Sequence, residues 1–319
     1  MKVVVIGGSG HIGTYLVPRL VEGGHEVTNV TRGLREPYQP HDAWKRVRLI
    51  RIDRQKEEAG RRFGESIKAL EPDVVMDLIC FKPESARPLV EALRGQIRHY
   101  ICCGTTWIHG PSVLVPTREE ECRNPFGEYG IQKAALENYL LEEAQAKGFP
   151  ATLLHPGHIV GKGWLPISPV GNRDPLIFSR LAKGEEVEMP NLGMEILHHV
   201  HADDVAQAFV KAMSFWGNAV GESFHVVSPQ ALTMRGYAET VASWFGREAR
   251  LKFVPFEQWR KGVDPEQADM TWDHIARSPN YSIAKARRLL DYQPRYGSLQ
   301  AIHESITWLM EKGLLAVDG

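Results

Sequence analysis

The chain opens on a short apolar run, Val3-Val4-Val5-Ile6, and turns at once through Gly7-Gly8-Ser9-Gly10-His11-Ile12-Gly13 into an amphipathic stretch. No other feature constrains the fold as tightly. The turn fits G-x-x-G-x-x-G on Gly7, Gly10 and Gly13, and G-x-G-x-x-G on Gly8, Gly10 and Gly13. Between a first strand and a first helix, such glycines let the backbone bend sharply and approach a pyrophosphate at the positive helix end. The turn therefore reads as a dinucleotide site on the opening strand of a parallel sheet.

The rest of the first half agrees. Strand-like runs at residues 3–6, 26–30, 47–52, 73–79, 99–103 and 151–155 alternate with helical stretches at 12–23, 64–70, 83–93 and 129–147. Strands alternating with helices of that length give a parallel sheet with helices on both faces, and right-handed crossovers leave a doubly wound, Rossmann-type α/β sheet as the simplest topology. Past Gly157 the pattern degrades. Residues 161–172 read as a long loop, 176–183 as a helix, 185–189 as a strand, 198–214 as a helix and 223–227 as a further strand. From Thr233 onward the chain reads as mostly helical. The expected organisation is a nucleotide-binding domain over residues 1–161 plus about 200–228. A smaller, mostly helical substrate-binding lobe would take 162–199 and 229–319.

Composition excludes several classes. Lys and Arg total 38 against 39 acids, a formal net charge of -1, so the basic surplus of a nucleic-acid binder is missing. No apolar run approaches the roughly 18 residues of a membrane span, and no signal-peptide pattern precedes the first strand. Four cysteines, two of them adjacent in an apolar run, suit neither a disulfide framework nor a zinc site. The histidines at 155, 158, 198, 199 and 201 show no ligand spacing on a helix, so no metal site is expected. The expectation is a cytoplasmic protein acting on a small molecule, without nucleic-acid or membrane partners.

Three further signals carry chemistry. Where a second strand usually ends in the acid that meets the ribose 2′-hydroxyl, this chain has Thr31, followed by Arg32 and Arg35. A guanidinium there can fork onto a 2′-phosphate, which favours NADP, with NAD as the alternative; the plainer reading is two solvated loop arginines. Tyr129 and Lys133 lie at i and i+4, on one helix face. An unperturbed tyrosine, with a pKa of about 10, is too weak an acid for neutral pH, and a nearby ammonium would lower that value. Otherwise the pair would be an exposed tyrosine and a solvated lysine. Thr105 lies just past the fifth strand, at the sheet end where ligands bind.

The glycine turn, the hydroxyl after the fifth strand and Tyr-x-x-x-Lys together resemble the short-chain dehydrogenase/reductase superfamily. Residues 154–161, 199–206 and 282–294 resemble segments of its extended branch, the NAD-dependent epimerase/dehydratase family. The resemblance implies that Tyr129 is the acid/base, that Lys133 holds the nicotinamide ribose and tunes Tyr129, and that Thr105 holds the substrate oxygen, with Thr106 a weaker choice. It implies a cofactor set of Gly7, Gly10, His11, Ile12, Gly13, Arg32, Arg35, Asp53, Lys133 and Pro156. Asp53 would meet the adenine ring, unless it only caps a turn. Thr106, Trp107, His158 and Trp164 would face the substrate. Two departures matter. Dehydratases of the family follow the hydroxyl with Asp-Glu, and here Thr106 and Trp107 stand there, which disfavours elimination of water. Many nucleotide-sugar members carry Asn where this chain has His158.

The expected activity is hydride transfer at a secondary alcohol or ketone of a small polar compound such as a sugar. A sugar epimerase with tightly held NAD is the alternative, and a non-catalytic nucleotide-sensing or RNA-associated protein the second. The resemblance also implies a homodimer through the helices at 83–93 and 129–147.

Overall fold

Strand β1 (Lys2–Ile6) is buried on both faces, and its side chains explain why the run is unbroken. Val3 and Val5 pack in one apolar cluster with Leu16, Leu20 and Phe209, whereas Val4 and Ile6 pack in another with Ile67, Leu89 and Leu136. A strand buried on two faces cannot alternate with polar residues. The computed structural model describes residues 1–316.

The central sheet has seven parallel strands. With β2 (Glu26–Thr31), β3 (Arg48–Arg51), β4 (Val74–Asp77), β5 (His99–Cys103) and β6 (Ala151–Pro156), its order is Ser223–Val226, β6, β5, β4, β1, β2, β3. The chain runs outward from β1 through β2 and β3, then returns to β4 on the other side. The carboxyl ends of β1 and β4 therefore flank a crevice, the place where ligands bind in such sheets. Helix α1 (His11–Glu22) leaves β1 on one face. Helices α2 (Arg54–Ala59), α3 (Phe63–Lys68), α4 (Pro83–Leu93) and α5 (Glu128–Lys147) follow, with α4 packed on α5.

A separate apolar cluster, with Phe178, Met189, Tyr237, Trp259 and Ile302 among its members, gathers the late segments. The region is more β-rich than its sequence suggests. Residues 198–214 do not form one helix: His199–His201 pair in parallel with His158–Val160, and the helix starts at Ala202. The reason is local. The His201 ring accepts the Asp203 backbone N–H at 3.0 Å, an N-cap that holds His201 in extended backbone. Arg250–Val254, read as part of a helical region, is a strand alongside Glu186–Pro190. No helix among the described residues is long and apolar enough to cross a membrane.

Candidate active site

The glycine turn is held from the second strand. Gly7 has φ +85°, open to glycine at no cost, and a Cβ at Gly13 would run into the Gly8 carbonyl. Asn29 on β2 is fully buried; its Oδ1 accepts the Gly8 N–H at 3.0 Å and its amide donates to Ser9 Oγ at 3.1 Å. Nothing in the sequence marked Asn29 beyond an amide inside an apolar strand.

Above the turn lies a cavity of about 810 Å³ lined by Gly7, Gly10, Arg32, Arg35, Asp53 and Lys82, among others. Arg32, Arg35 and Lys82 are exposed, and none is in an ion pair among the described residues. Arg54, beside them, is committed elsewhere: its guanidinium donates to Asp77 at 2.8 Å and to Glu58 at 2.6 Å. Asp53 lines the cavity and also caps α2, accepting from the Gln55 N–H at 3.1 Å. The side chains of His11 and Ile12 are buried away from it. Ile12 packs in the sheet core, and the His11 ring stacks on Trp164 at 4.9 Å between centroids. Burial lowers the His11 pKa to about 3.

Lys133 is not a solvated lysine. Its buried ammonium donates to the carbonyls of Cys80 and Cys103, both at 2.7 Å, just beyond or at the ends of β4 and β5. It also lies 4.8 Å from the Phe81 ring centre and 5.9 Å from that of Tyr129. Burial opposes its charge, yet facing Tyr129 and the neighbouring thiols hold its pKa above the ordinary value. Tyr129 is 43% exposed, its ring edge set against Trp107 at 5.8 Å. Its hydroxyl is crowded, so burial raises its pKa; Lys133 and a hydrogen bond with Thr105 pull the other way. The lysine acts with the expected sign, but in this state burial is the larger effect. Thr105 also caps the short helical turn Thr106–His109, accepting the Trp107 N–H at 3.3 Å.

A second cavity, of about 370 Å³, opens beside these hydroxyls. Thr105, Trp107, Tyr129, Pro156, His158 and Trp164 all line it. Thr106 does not: it is buried, with its hydroxyl donated to the Pro156 carbonyl at 3.4 Å and its own carbonyl taken by Tyr281 at 3.1 Å. The late segments add Arg173, Met270 and His274, none of them singled out from the sequence. Behind the wall, the Arg277 guanidinium is sandwiched 3.8 Å from the Trp107 ring centre and 3.7 Å from that of Phe126. It donates to the Phe126 carbonyl at 2.7 Å and to Asp273, and so fixes Trp107. The rings of His158 and His274 meet at 4.6 Å. Burial takes the His158 pKa well below its ordinary value and that of His274 to about 4, so both are neutral at pH 7. Among the described residues no group of three His, Cys, Asp or Glu side chains could hold a metal ion.

The model of the NAD dependent epimerase/dehydratase family matches residues 3–226. The chain is 26% identical over 316 residues to the 2'-dehydrokanamycin reductase of Streptomyces kanamyceticus, covering 98% of this chain and 86% of that one. It is 27% identical over 320 residues to the chloroplast stem-loop binding protein of 41 kDa b of Arabidopsis thaliana, covering 95% and 78%. Among solved structures, the UDP-glucose 4-epimerase of Thermotoga maritima with UDP-glucose superposes with a TM-score of 0.74 at 22% identity, covering 98% and 99%.

Proposed function

This chain belongs to the NAD dependent epimerase/dehydratase family, and from that premise we propose that it is an NADP(H)-dependent reductase of a keto-sugar or related small polar ketone. The observation that supports the reading is that Thr105 and Tyr129 line the smaller cavity while the Lys133 ammonium lies close to Tyr129 and to Phe81, which lines the larger. When bound, a nicotinamide cofactor supplies or accepts the hydride.

The residues present fit such a cofactor. Gly7 and Gly10 present no side chain to the larger cavity, so backbone N–H groups can meet a pyrophosphate there, and Gly13 allows close contact with the Gly8 carbonyl. Arg32 and Arg35, free of carboxylate partners beside Thr31, favour a 2′-phosphate and hence NADP over NAD. Asp53 and Pro156 would border the adenine and nicotinamide ends. His11 and Ile12 would contribute through their backbone, since their side chains are packed. An ammonium has three N–H donors; two of those on Lys133 are fixed by carbonyls, which leaves the third for a ribose hydroxyl.

In reduction, Tyr129 Oη gives its proton to the substrate oxygen while the Thr105 hydroxyl orients that oxygen. The tyrosinate left behind faces the Lys133 ammonium, so the charge that develops has a partner already in place. Trp107, Trp164 and His158 would wall the substrate. Among the described residues no carboxylate lines this cavity, so elimination of water lacks a carboxylate base. Helices α4 and α5 lie on the same sheet face and leave Ile131 exposed, which supports a homodimer through them.

The test is NADPH consumption with a panel of ketones and keto-sugars. Tyr129→Phe is expected to keep its fold and cofactor affinity while turnover falls roughly 10²–10⁴-fold. A variant that matches the wild type would end the mechanism. It would favour the non-catalytic role that the likeness to the stem-loop binding protein supports. Native mass spectrometry separates the epimerase reading, which requires tightly held NAD, from a reductase that is empty or carries NADP.

A further inference from the structure

The walls of the smaller cavity carry one sign of charge. Its only ionic lining group among the described residues is Arg173, and no carboxylate faces it. Arg173 is exposed, but the backbone of its loop is held in place. Buried Asn172 locks the loop, its Oδ1 accepting from the Ser168 hydroxyl at 2.8 Å and from the Asp174 N–H at 3.1 Å. The Arg173 N–H is held by Gln267 at 3.0 Å. The neighbouring acid is turned to another task, with Asp174 Oδ1 accepting the Leu176 N–H at 2.9 Å. The guanidinium itself lies 5.9 Å from the Trp164 ring centre and has no ion-pair partner among the described residues.

His158 and His274 are neutral, so Arg173 is the one charge on this wall among the described residues, and that charge helps to keep His158 unprotonated. Arg277, stacked on the back of Trp107, is ion-paired with Asp273 at 3.1 Å and adds no uncompensated charge behind the wall. A cavity of about 370 Å³ is near the small end of ligand sites, which run roughly 300–1,000 Å³, and suits one sugar ring with a substituent rather than a whole nucleotide sugar.

We propose that the substrate is a small anionic keto-sugar, bearing a carboxylate or a phosphate monoester that Arg173 receives as a forked ion pair over the Trp164 ring. The inference rests on the reductase reading of the same site. It excludes a cationic aminosugar, for which the cavity has no counter-charge, and it assigns Arg173 a specificity role. Planar guanidinium is suited to both anions, and a lysine would hold them as a point charge only.

The experiment compares D-fructose, D-fructuronate, D-fructose 6-phosphate, 1-amino-1-deoxyfructose and a UDP-linked 4-keto-sugar, each with NADPH and the full-length protein. The expected result is a kcat/KM for fructuronate, fructose 6-phosphate or both at least tenfold above that for fructose, about the size of one charge-assisted hydrogen bond. The two anions, tested separately, tell carboxylate from phosphate. In Arg173→Gln that ratio should collapse towards one, and Arg173→Lys should restore part of it. Preference for the neutral, cationic or nucleotide-linked ketone would overturn the proposal, as would a ratio that survives in Arg173→Gln. If no ketone is turned over, the reductase reading fails, and calorimetry of fructuronate and fructose 6-phosphate with NADPH-loaded protein still decides the charge question. Binding that is lost in Arg173→Gln supports the site; no binding to the wild type overturns it.

Discussion

Acid should unfold this protein through its buried histidines, and the size of the effect follows from their bonding. His198 uses both ring nitrogens as a neutral ring, with Nε2 donating to the Ser228 carbonyl at 2.8 Å and Nδ1 accepting the Tyr281 N–H at 3.1 Å. A second ring proton would displace that acceptor. His109 and His225 meet Nε2 to Nε2 at 2.8 Å, which requires one N–H and one lone pair. Burial lowers the pKa of His11, His109 and His199 to about 3, and of His99, His198 and His274 to about 4. All six lie below the ordinary 6.5, so above that pH neither the folded nor the unfolded chain is protonated at these rings and no penalty exists. As pH falls below 6.5 the unfolded chain takes up protons that the folded one refuses, and stability drops until the folded rings titrate near pH 3–4. At pH 5.5 each ring costs about 1.4 kcal/mol, so the six together remove about 8 kcal/mol, comparable to a whole domain stability of about 5–15 kcal/mol. Glu137 works in a lower window. Despite burial, His155 and Arg123 hold its pKa at about 2, so its contribution is present above the ordinary value of 4.5 and is lost as pH falls from there towards 2. Urea midpoints by circular dichroism at pH 7.5, 6.5 and 5.5, at fixed ionic strength, measure the slope. His99→Gln can still donate to Thr152 Oγ1, which the ring now meets at 2.8 Å, and should flatten the slope by about one proton. A midpoint that stays constant down to pH 5.5 would refute the reasoning.

Three other outcomes are expected. Arg32→Ala should weaken NADPH binding by about 10–100-fold in calorimetry, the worth of a charged hydrogen bond, and leave NADH unaffected; NADH binding equally well to the wild type would remove the basis for NADP. Lys133→Met should cost both cofactor affinity and turnover, and should also lower the melting temperature, because the Cys80 and Cys103 carbonyls lose a buried donor. Sedimentation at micromolar concentration should give twice the 35.9 kDa of one chain, and Ile131→Glu on the exposed face of α5 should return it to one.

What could be read from the sequence was whatever depends on backbone geometry and local spacing. Gly7 and Gly13 are required by a positive φ and by contact with the Gly8 carbonyl, so the residue type itself reports the turn. Tyr129 and Lys133 are fixed by the helical repeat, and Thr105 by its place after an apolar strand. The unread part depends on tertiary partners. Asn29 looks like any polar strand residue until its amide is seen to hold Gly8 and Ser9. Arg173 and His274 reach the cavity, and Arg277 backs its wall, from late segments whose elements show no period in the sequence. The histidine-rich run at 199–201 looked like a helix start because the acids after it favour a first turn, while its own pairing with His158–Val160 has no local signature.

The position of Lys133 shows how such a site can stand ready before any ligand arrives. A parallel sheet leaves carbonyls without ladder partners at the carboxyl ends of its strands, and the switch point gathers several of them in one crevice. Bare and buried, they would cost stability; one ammonium from α5 satisfies two of them across β4 and β5. The desolvation of that charge is offset by bonds the fold needs in any case, so the cation does not have to be held for catalysis alone. Tyr129, one helical turn away, inherits a fixed positive neighbour, and the electrostatics that the proposed mechanism needs become a consequence of how this sheet ends.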